Sequence, residues 1–180
     1  MNMMNHNLEM IMQENLIQQV ETLLREKPQL RPVEMADELK VTEWAVVSAL
    51  PGELVHLIEG NLAEAILQDV AHWGAVTTIV ERDGSIFEFK GSLPEGKPGF
   101  GYYNLMGEAG QLHGHLKLDA ITHIALLSKP LRGKEAHAIV FYNRAGACVF
   151  KIYLGRDPQG VIYAHQLQAF NRLKGLGYAR

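Results

Sequence analysis

The sequence predicts an α+β fold, with helices first, an antiparallel sheet of about seven strands next and one helix at the end. Apolar residues recur at helical spacing up to about residue 73 and again after residue 161. Between these regions, short segments rich in β-branched and aromatic residues alternate with turn residues, which is typical of strands. The chain has 180 residues, 47% of them hydrophobic, so it can bury the core of one ordinary domain.

Three helices are predicted before the first turn-rich segment. The apolar residues of segment 8–25 lie on one face of a helix that ends before Pro28. A short helical segment follows at residues 33–39. Thr42 has the right chemistry to cap a third helix over residues 43–50.

Two further helices flank the predicted strands. Asn61 is a good N-cap for a helix that reaches about Trp73, and Gly74 closes this helix. The last helix is predicted over residues 161–174, where apolar side chains form one stripe.

The strands are separated by short turns, which favours an antiparallel sheet that is largely a meander. Arg82-Asp83-Gly84 is a hairpin signal, and residues 143–146 form a second turn. The predicted strands cover residues 75–81, 85–90, 100–106, 111–118, 121–127, 136–142 and 147–154.

The chain is interpreted as one domain overall. Residues 1–60 form a helical segment that packs on the main region, residues 61–180, which contains the sheet. Residues 92–99 contain two prolines and two glycines, so we expect a surface loop there, at the mouth of a pocket.

Composition excludes several classes of protein. The net charge of −3 does not suit a protein whose main task is to bind nucleic acid, because phosphates require a basic face. Cys148 is the single cysteine, so no intramolecular disulfide can form and a reducing compartment fits best. The first residues lack a secretory signal and charges interrupt every long apolar run, so we expect a cytoplasmic protein outside the membrane.

Common enzyme signatures are absent from the sequence. There is no GxxxxGK[ST] phosphate loop, no GxSxG elbow, no HExxH and no CxxC. Gly99-Phe100-Gly101 precedes a strand pattern rather than a helix, so we interpret it as a turn and not as a dinucleotide-binding loop.

The candidate binding residues lie on two neighbouring predicted strands. Alternation places His113, His115 and Lys117 on one face of their strand, while Tyr102 and Tyr103 point to opposite faces of theirs. A haem site needs only one or two axial ligands, since the porphyrin supplies four nitrogens, and a phenolate suits ferric iron. Ordinary sheet histidines and core tyrosines are the commoner explanation, and the residues alone do not choose between the two tyrosines.

Basic side chains on or beside the predicted strands could pair with carboxylates such as haem propionates. Solvated surface charge explains such residues more often than ligand binding does. The candidates are Lys117, Arg132, Lys134 and Lys151.

Five segments, in one order, resemble the HutX/ChuX-type intracellular haem-utilisation carriers. Together they are far more specific than any one of them, and the match runs from about residue 39 to the end of the chain. The segments are WGAVTTIV (73–80), GYYNL (101–105), GHLK (114–117), THIAL (122–126) and KIYLGRD (151–157).

The resemblance implies a homodimer with a curved antiparallel sheet that binds haem b in the cytoplasm and delivers it to a haem-accepting or haem-degrading partner. It implies Tyr102 as the leading axial ligand and His115 as the second. Some members carry a histidine after the TTxV segment, where this chain has Glu81. That departure argues against ligation by two histidines.

Two rival functions remain at this stage. One is an enzyme that degrades haem with an external reductant, since the sequence carries no nicotinamide or flavin motif. The other is a ligand-responsive DNA-binding regulator, because residues 35–47 have the pattern of two helices joined by a turn. The acidic start of the second helix is poorly matched to phosphates, which makes nucleic acid an unlikely partner.

Overall fold

The computed structural model describes the backbone of residues 2–178 and the side chains of residues 5–178. The three predicted N-terminal helices are present, α1 (Asn2–Glu26), α2 (Pro32–Leu39) and α3 (Glu43–Ala49), and they precede a first strand at residues 55–59 that was not predicted. Helix α1 begins earlier than expected, and the side chains of residues 5–15 are exposed. Thr42 caps α3, because its hydroxyl oxygen accepts a hydrogen bond from the backbone N–H of Ala45 at 3.1 Å.

The α+β class is confirmed, but the described residues form nine strands in two antiparallel sheets rather than about seven strands in one. The larger sheet has six strands in the order β1-β7-β8-β9-β2-β3, and the smaller has the order β4-β5-β6. The strands are β1 (Val55–Glu59), β2 (Ala75–Arg82), β3 (Ser85–Ser92), β4 (Gly96–Gly99), β5 (Tyr102–Leu105), β6 (Gly114–Leu116), β7 (Ile121–Leu127), β8 (Ala138–Asn143) and β9 (Cys148–Tyr153).

The meander prediction holds for β7, β8 and β9 and for the β2–β3 hairpin. Asp83 and Gly84 form the tight turn of that hairpin, with φ angles of 50° and 79°. A two-residue hairpin loop requires positive φ at both positions, which Asp and Gly tolerate.

The segment 92–99 was wrongly predicted to be an open loop. Its second half is β4, which pairs with β5, and the side chain of Leu93 is buried. Proline at position 98 is compatible with a strand at the edge of a sheet, where one N–H has no partner to bind.

The last two helices are shorter than predicted: α4 (Ala63–Val70) and α5 (Ala164–Leu173). Asn61 is not the cap of α4, because Gly60–Leu62 form a 3₁₀ turn before the helix. Helix α5 begins after Ile162, which is held in a bridge with Arg156. Gly74, which was predicted to close α4, lies beyond its end, because α4 ends at Val70 with Ala71 as the C-cap.

The six-stranded sheet separates two hydrophobic cores. One face packs against α4, α5 and the small sheet, and the other packs against α1, α2 and α3. Alternate residues of the central strands β7 and β8 therefore enter different cores. This arrangement sets the position of the small sheet, whose inner face is buried and whose outer face is open to solvent.

Candidate functional site

The two adjacent tyrosines of β5 have opposite environments, as alternation predicts. Tyr103 lies in the core with 2% of its side chain exposed, whereas Tyr102 is 44% exposed on the outer face. Burial raises the pKa of the Tyr103 phenol, which makes its phenolate harder to form. Among the two tyrosines, the structure therefore favours Tyr102 as a group that can meet a ligand.

His115 faces the same side as Tyr102 and is held by Asn104. The ring centroids of Tyr102 and His115 are 5.9 Å apart. The Nδ1 atom of His115 lies 2.6 Å from the amide oxygen of Asn104. That oxygen can only accept, so the neutral imidazole places its proton on Nδ1 and leaves the lone pair of Nε2 available.

The Asn104 amide is itself oriented by backbone carbonyls of β4. Its Nδ2 atom donates to the carbonyl oxygens of Lys97 at 3.2 Å and Gly99 at 3.1 Å. These bonds hold the amide nitrogen of Asn104 towards β4 and its amide oxygen towards β6. The backbone of one strand thus fixes the tautomer of a histidine two strands away.

Lys117 completes this group of side chains. Its ammonium lies 5.4 Å from the centre of the Tyr102 ring, donates to the carbonyl of Gly101 at 3.2 Å and pairs with Asp119 at 3.3 Å. We call Tyr102, His115 and Lys117 the tyrosine–histidine surface. It combines a phenol, an imidazole and a cation on the outer face of the small sheet.

His113 is apart from this surface. It precedes β6, and its Nε2 atom donates to the backbone carbonyl of Glu108 at 3.2 Å. The sequence pattern placed it beside His115 because the predicted strand was longer than the three residues of β6.

Phe100, which was not predicted to be a binding residue, lies two residues before Tyr102 of the tyrosine–histidine surface. Its side chain is fully exposed at the turn between β4 and β5, and its φ of 53° is in the left-handed region. A bulky residue seldom adopts that conformation, and a free aromatic ring is costly in water. The sequence pattern that could have indicated this exposed ring is a phenylalanine between two glycines, which by itself predicts only a turn.

A cavity of about 980 Å³ lies on the face of the six-stranded sheet that is opposite the small sheet. It is bounded by α2, the strands β2, β3 and β9, and the turn at residues 131–134, and none of the five predicted binding residues lines it. Its apolar floor includes Ile79, and the cations around it are Arg31, Lys90, Arg132, Lys134, Lys151 and Arg156.

Glu81 neutralises part of the positive charge of this cavity. Its carboxylate lies 3.0 Å from the guanidinium of Arg31 and 3.6 Å from the ammonium of Lys151. Glu81, the position at which the sequence departs from the family resemblance, therefore belongs to an ion-pair cluster. Lys151, predicted as a partner for propionates, already has a carboxylate partner.

Cys148 is half-buried at the edge of the core on the helical side. Burial raises the pKa of its thiol to about 12. A thiolate is the form that binds iron, so this environment disfavours Cys148 as a ligand. In the part of the chain that the structure describes, no cluster of three or more His, Cys, Asp or Glu side chains could hold a metal ion. No described helix is both long enough and apolar enough to cross a membrane.

Known proteins are similar to this chain in sequence and in fold. The family model of haem utilisation ChuX/HutX proteins matches residues 56–173. The chain belongs to the ChuX/HutX family. It is 48% identical, over 161 residues, to the intracellular heme transport protein HutX of Vibrio cholerae, which covers 89% of this chain and 83% of that protein.

Several solved structures have the same fold. The heme-binding protein ChuX is 33% identical with a TM-score of 0.78, covering 87% of this chain and 97% of that one. A protein from Erwinia carotovora is also 33% identical, with a TM-score of 0.83 over 88% of this chain and 98% of that one. The heme-binding protein PhuS from Pseudomonas aeruginosa, at 18% identity and a TM-score of 0.75, shares the fold over 46% of its own length.

Proposed function

We propose that this protein binds haem and carries it inside the cell to a partner protein that accepts or degrades it. The observation that carries the proposal is the 48% identity to an intracellular heme transport protein over most of both chains. The tyrosine–histidine surface supplies groups that fit this cargo. A phenol and an imidazole are both ligands of haem iron, and an ammonium can pair with a propionate.

Tyr102 is the first candidate for the axial ligand, and His115 is the second. The Tyr102 phenol is accessible, and the Lys117 ammonium lies 5.4 Å from the centre of its ring. His115 presents a free Nε2 because Asn104 holds Nδ1. The exposed ring of Phe100 offers an apolar contact for a porphyrin beside these groups.

An exposed site suits a carrier because a carrier must release its cargo. Affinity differences between related complexes lie mostly in the dissociation rate, and an open surface places few barriers to dissociation. Among the relatives at 33% identity or more, HutX is a heme transport protein and ChuX is a heme-binding protein, which supports carriage over degradation.

The structure also weakens the DNA-binding alternative. The proposed recognition helix is α3, and each of its residues is at least partly buried, with Val46, Val47 and Ala49 in the core. Trp44 stacks on His123 of the sheet at 4.3 Å between ring centroids. A recognition helix must instead present side chains to the major groove.

The test is an absorbance titration with ferric haem of the protein and three single variants. Saturation near one haem per chain is expected, with Tyr102→Phe changing the spectrum and weakening binding about tenfold or more. Tyr178→Phe is a matched control, because Tyr178 is also partly exposed, at 38%. Thr77→Trp, which places a large ring in the cavity on the opposite face, should leave the titration unchanged.

The outcomes separate the alternatives. A titration identical to that of free haem would exclude haem binding, and a loss of binding in Thr77→Trp alone would move the site to the cavity. Bound haem that passes intact to an apo-globin supports carriage. Conversion to an open tetrapyrrole after addition of ascorbate would favour degradation.

A further inference from the structure

The first half of helix α1 is not covered by the rest of the chain that the structure describes. The side chains of residues 5–15 are all exposed, and we call this segment the N-terminal arm. The second half of the helix is different, because its apolar side chains pack against the core on the helical side. The apolar pattern continues along the arm, where Leu8, Ile11 and Met12 are exposed by 55%, 62% and 71%. Such an uncovered apolar stripe on a helix indicates a surface that contacts another molecule.

The arm is also acidic. Its three apolar side chains have the spacing i, i+3, i+4, so they share one face of the helix. At about 100° per residue, Glu9 lies on one side of this face and Glu14 on the other. No lysine or arginine precedes Arg25 in the chain. An amphipathic helix without cations is poorly matched to an anionic membrane surface, and it is well matched to a basic protein surface.

The cavity on the helical side of the sheet has the complementary pattern. Its floor is apolar, and six cations and three carboxylates line it. Each of the three carboxylates already has a cation of the same cavity at a distance of 3.0 to 3.9 Å. Among the described residues, no carboxylate pairs with Arg132 or Lys134. The cavity therefore has cations to spare, and these two lie on the turn at residues 131–134.

This turn holds its two cations at the cavity by a tight hairpin. The backbones of Leu131 and Lys134 exchange two hydrogen bonds, at 2.9 and 3.0 Å. Arg132 and Gly133 have φ angles of 51° and 74° as the two central residues. Glycine tolerates a positive φ, whereas an arginine adopts it at a cost in backbone energy. A charged residue kept in a costly conformation at the rim of a cavity points to a function in binding.

We infer that the N-terminal arm of one copy of this chain docks in the cavity of a second copy. The apolar face of the arm lies on the apolar floor, and its carboxylates lie next to the cations of the turn. Apolar contact and opposite charge thus favour the same arrangement. This contact goes beyond the carriage of haem. It lies on the other side of the six-stranded sheet from the tyrosine–histidine surface, so its test and the haem titration are independent.

The arm must come from another copy because it cannot reach the cavity of its own chain. The lining of the cavity begins at Gln29, after the end of α1, and includes no described residue of α1. Ile11 lies 15 residues before Glu26 in one continuous helix, which places it about 22 Å from the end of that helix. A continuous helix does not fold back on itself. The arm therefore extends away from the cavity that its own chain forms.

The size of the cavity fits this occupant. A helix about 10 Å across occupies about 420 Å³ per turn, so a cavity of about 980 Å³ can accept about two turns. The segment from Leu8 to Glu14 is about two turns long and contains the three apolar residues and both acids. The cavity can thus hold the part of the arm that carries the complementary groups.

The first experiment links the arm to the cavity with a short bis-maleimide, in the full chain carrying Ile11→Cys and Thr77→Cys. Ile11 is exposed on the arm, and Thr77 lines the cavity. A covalent dimer is expected on a denaturing gel, and peptide mass spectrometry should find the link between positions 11 and 77. The mass of the protein in solution is not sufficient, because it does not distinguish this contact from another contact between copies.

The two single-cysteine variants are the controls, and each should give little covalent dimer. They also control for Cys148, which reacts slowly because burial raises the pKa of its thiol to about 12. A double variant that forms no more dimer than the single variants would overturn the inference. A link formed only within one chain would overturn it as well.

The second experiment reverses charges in the same double-cysteine chain. Glu9→Lys with Glu14→Lys should slow the formation of linked dimer about tenfold, because both carboxylates then become cations beside the cations of the turn. Arg132→Glu with Lys134→Glu should slow it by a similar factor. All four substitutions together should restore the rate, since each charge then meets its opposite again.

Glu21→Lys with Glu26→Lys is the matched control for the reversal on the arm. It changes the charge of α1 by the same amount at exposed positions outside the arm, and it should leave the linking rate nearly unchanged. Arm variants that link as fast as this control would contradict the inference. All the reversed positions are exposed, so the variants should retain the melting temperature of the parent chain.

Discussion

Asn104 illustrates how a single, partly buried amide can prepare a surface group for binding. Its two amide donors are used by carbonyls of β4, and its oxygen is left for His115. A histidine on an exposed strand would otherwise sample both tautomers and several ring orientations. The bond to Asn104 removes this freedom before any ligand arrives, so less entropy is lost when the imidazole binds.

This role of Asn104 can be tested by two substitutions. Asn104→Leu removes the acceptor for His115 and should weaken haem binding about tenfold, in the range observed when the orienting partner of a ligand is lost. Asn104→Asp keeps an acceptor and should retain most of the affinity. The measurement is a haem titration of both variants with and without His115→Ala. If Asn104→Leu still weakens binding in the His115→Ala background, the effect does not act through the imidazole.

At the scale of elements, the sequence pattern identified the helices and most strands because their periodicities are local. Alternation predicted that Tyr102 and Tyr103 point to opposite faces of their strand, but it could not tell which of the two is buried. The sequence pattern missed β4, whose Gly and Pro residues suit a loop equally well and become a strand only by pairing with β5. The cavity could not be predicted, because it is formed by α2, three strands and a distant turn that meet only in the folded chain.

The contact between β4 and β5 also explains why a glycine is needed at position 96. A Cβ atom there would lie 2.2 Å from Cε1 of the Tyr103 ring, well inside van der Waals contact. The ring is held in the core between the two sheets, so it cannot move without disturbing its neighbours. The absence of a side chain at position 96 therefore lets the Tyr103 ring point into the core, and Tyr102 then points to the outer face.

Gly96→Ala should lower the free energy of unfolding by about 1–3 kcal/mol, the usual cost of overpacking a dense core. Gly52→Ala is the control, since a Cβ at Gly52 would meet nothing within 4 Å. Denaturant unfolding measures both. Equal stability of the two variants would show that the small sheet can shift to accept a methyl group.

At the scale of the whole molecule, the helical layer and the sheet are joined by a buried polar contact. The hydroxyl of Tyr142, on β8, donates to the carboxylate of Glu43, at the start of α3, at 3.0 Å. Tyr142 is fully buried, and the contact lies within the core on the helical side. Burial raises the pKa of the Glu43 carboxyl above its ordinary value of 4.5, because a charge is poorly solvated there.

This shift makes the attachment of the helices depend on pH. The folded chain binds the Glu43 proton more tightly than the unfolded chain does. The stability that the protonated Glu43 contributes is therefore fully present below pH 4.5. That stability is lost as the pH rises through the raised pKa, because the folded chain must then carry a buried carboxylate. The direction is opposite to that of a carboxylate stabilised by a salt bridge.

Glu43→Gln removes this dependence while keeping an oxygen that can accept the bond from Tyr142. We expect the free energy of unfolding of the variant, relative to the parent chain, to increase as the pH rises from about 4.5 towards neutrality. Urea unfolding across this range measures the difference, in which the other titrating groups cancel. Glu53→Gln, at an exposed position, controls for the loss of one negative charge. A difference that stays constant with pH would mean that Glu43 is ionised at little cost, and that Arg31 and Lys151, the cations nearby, compensate for its burial.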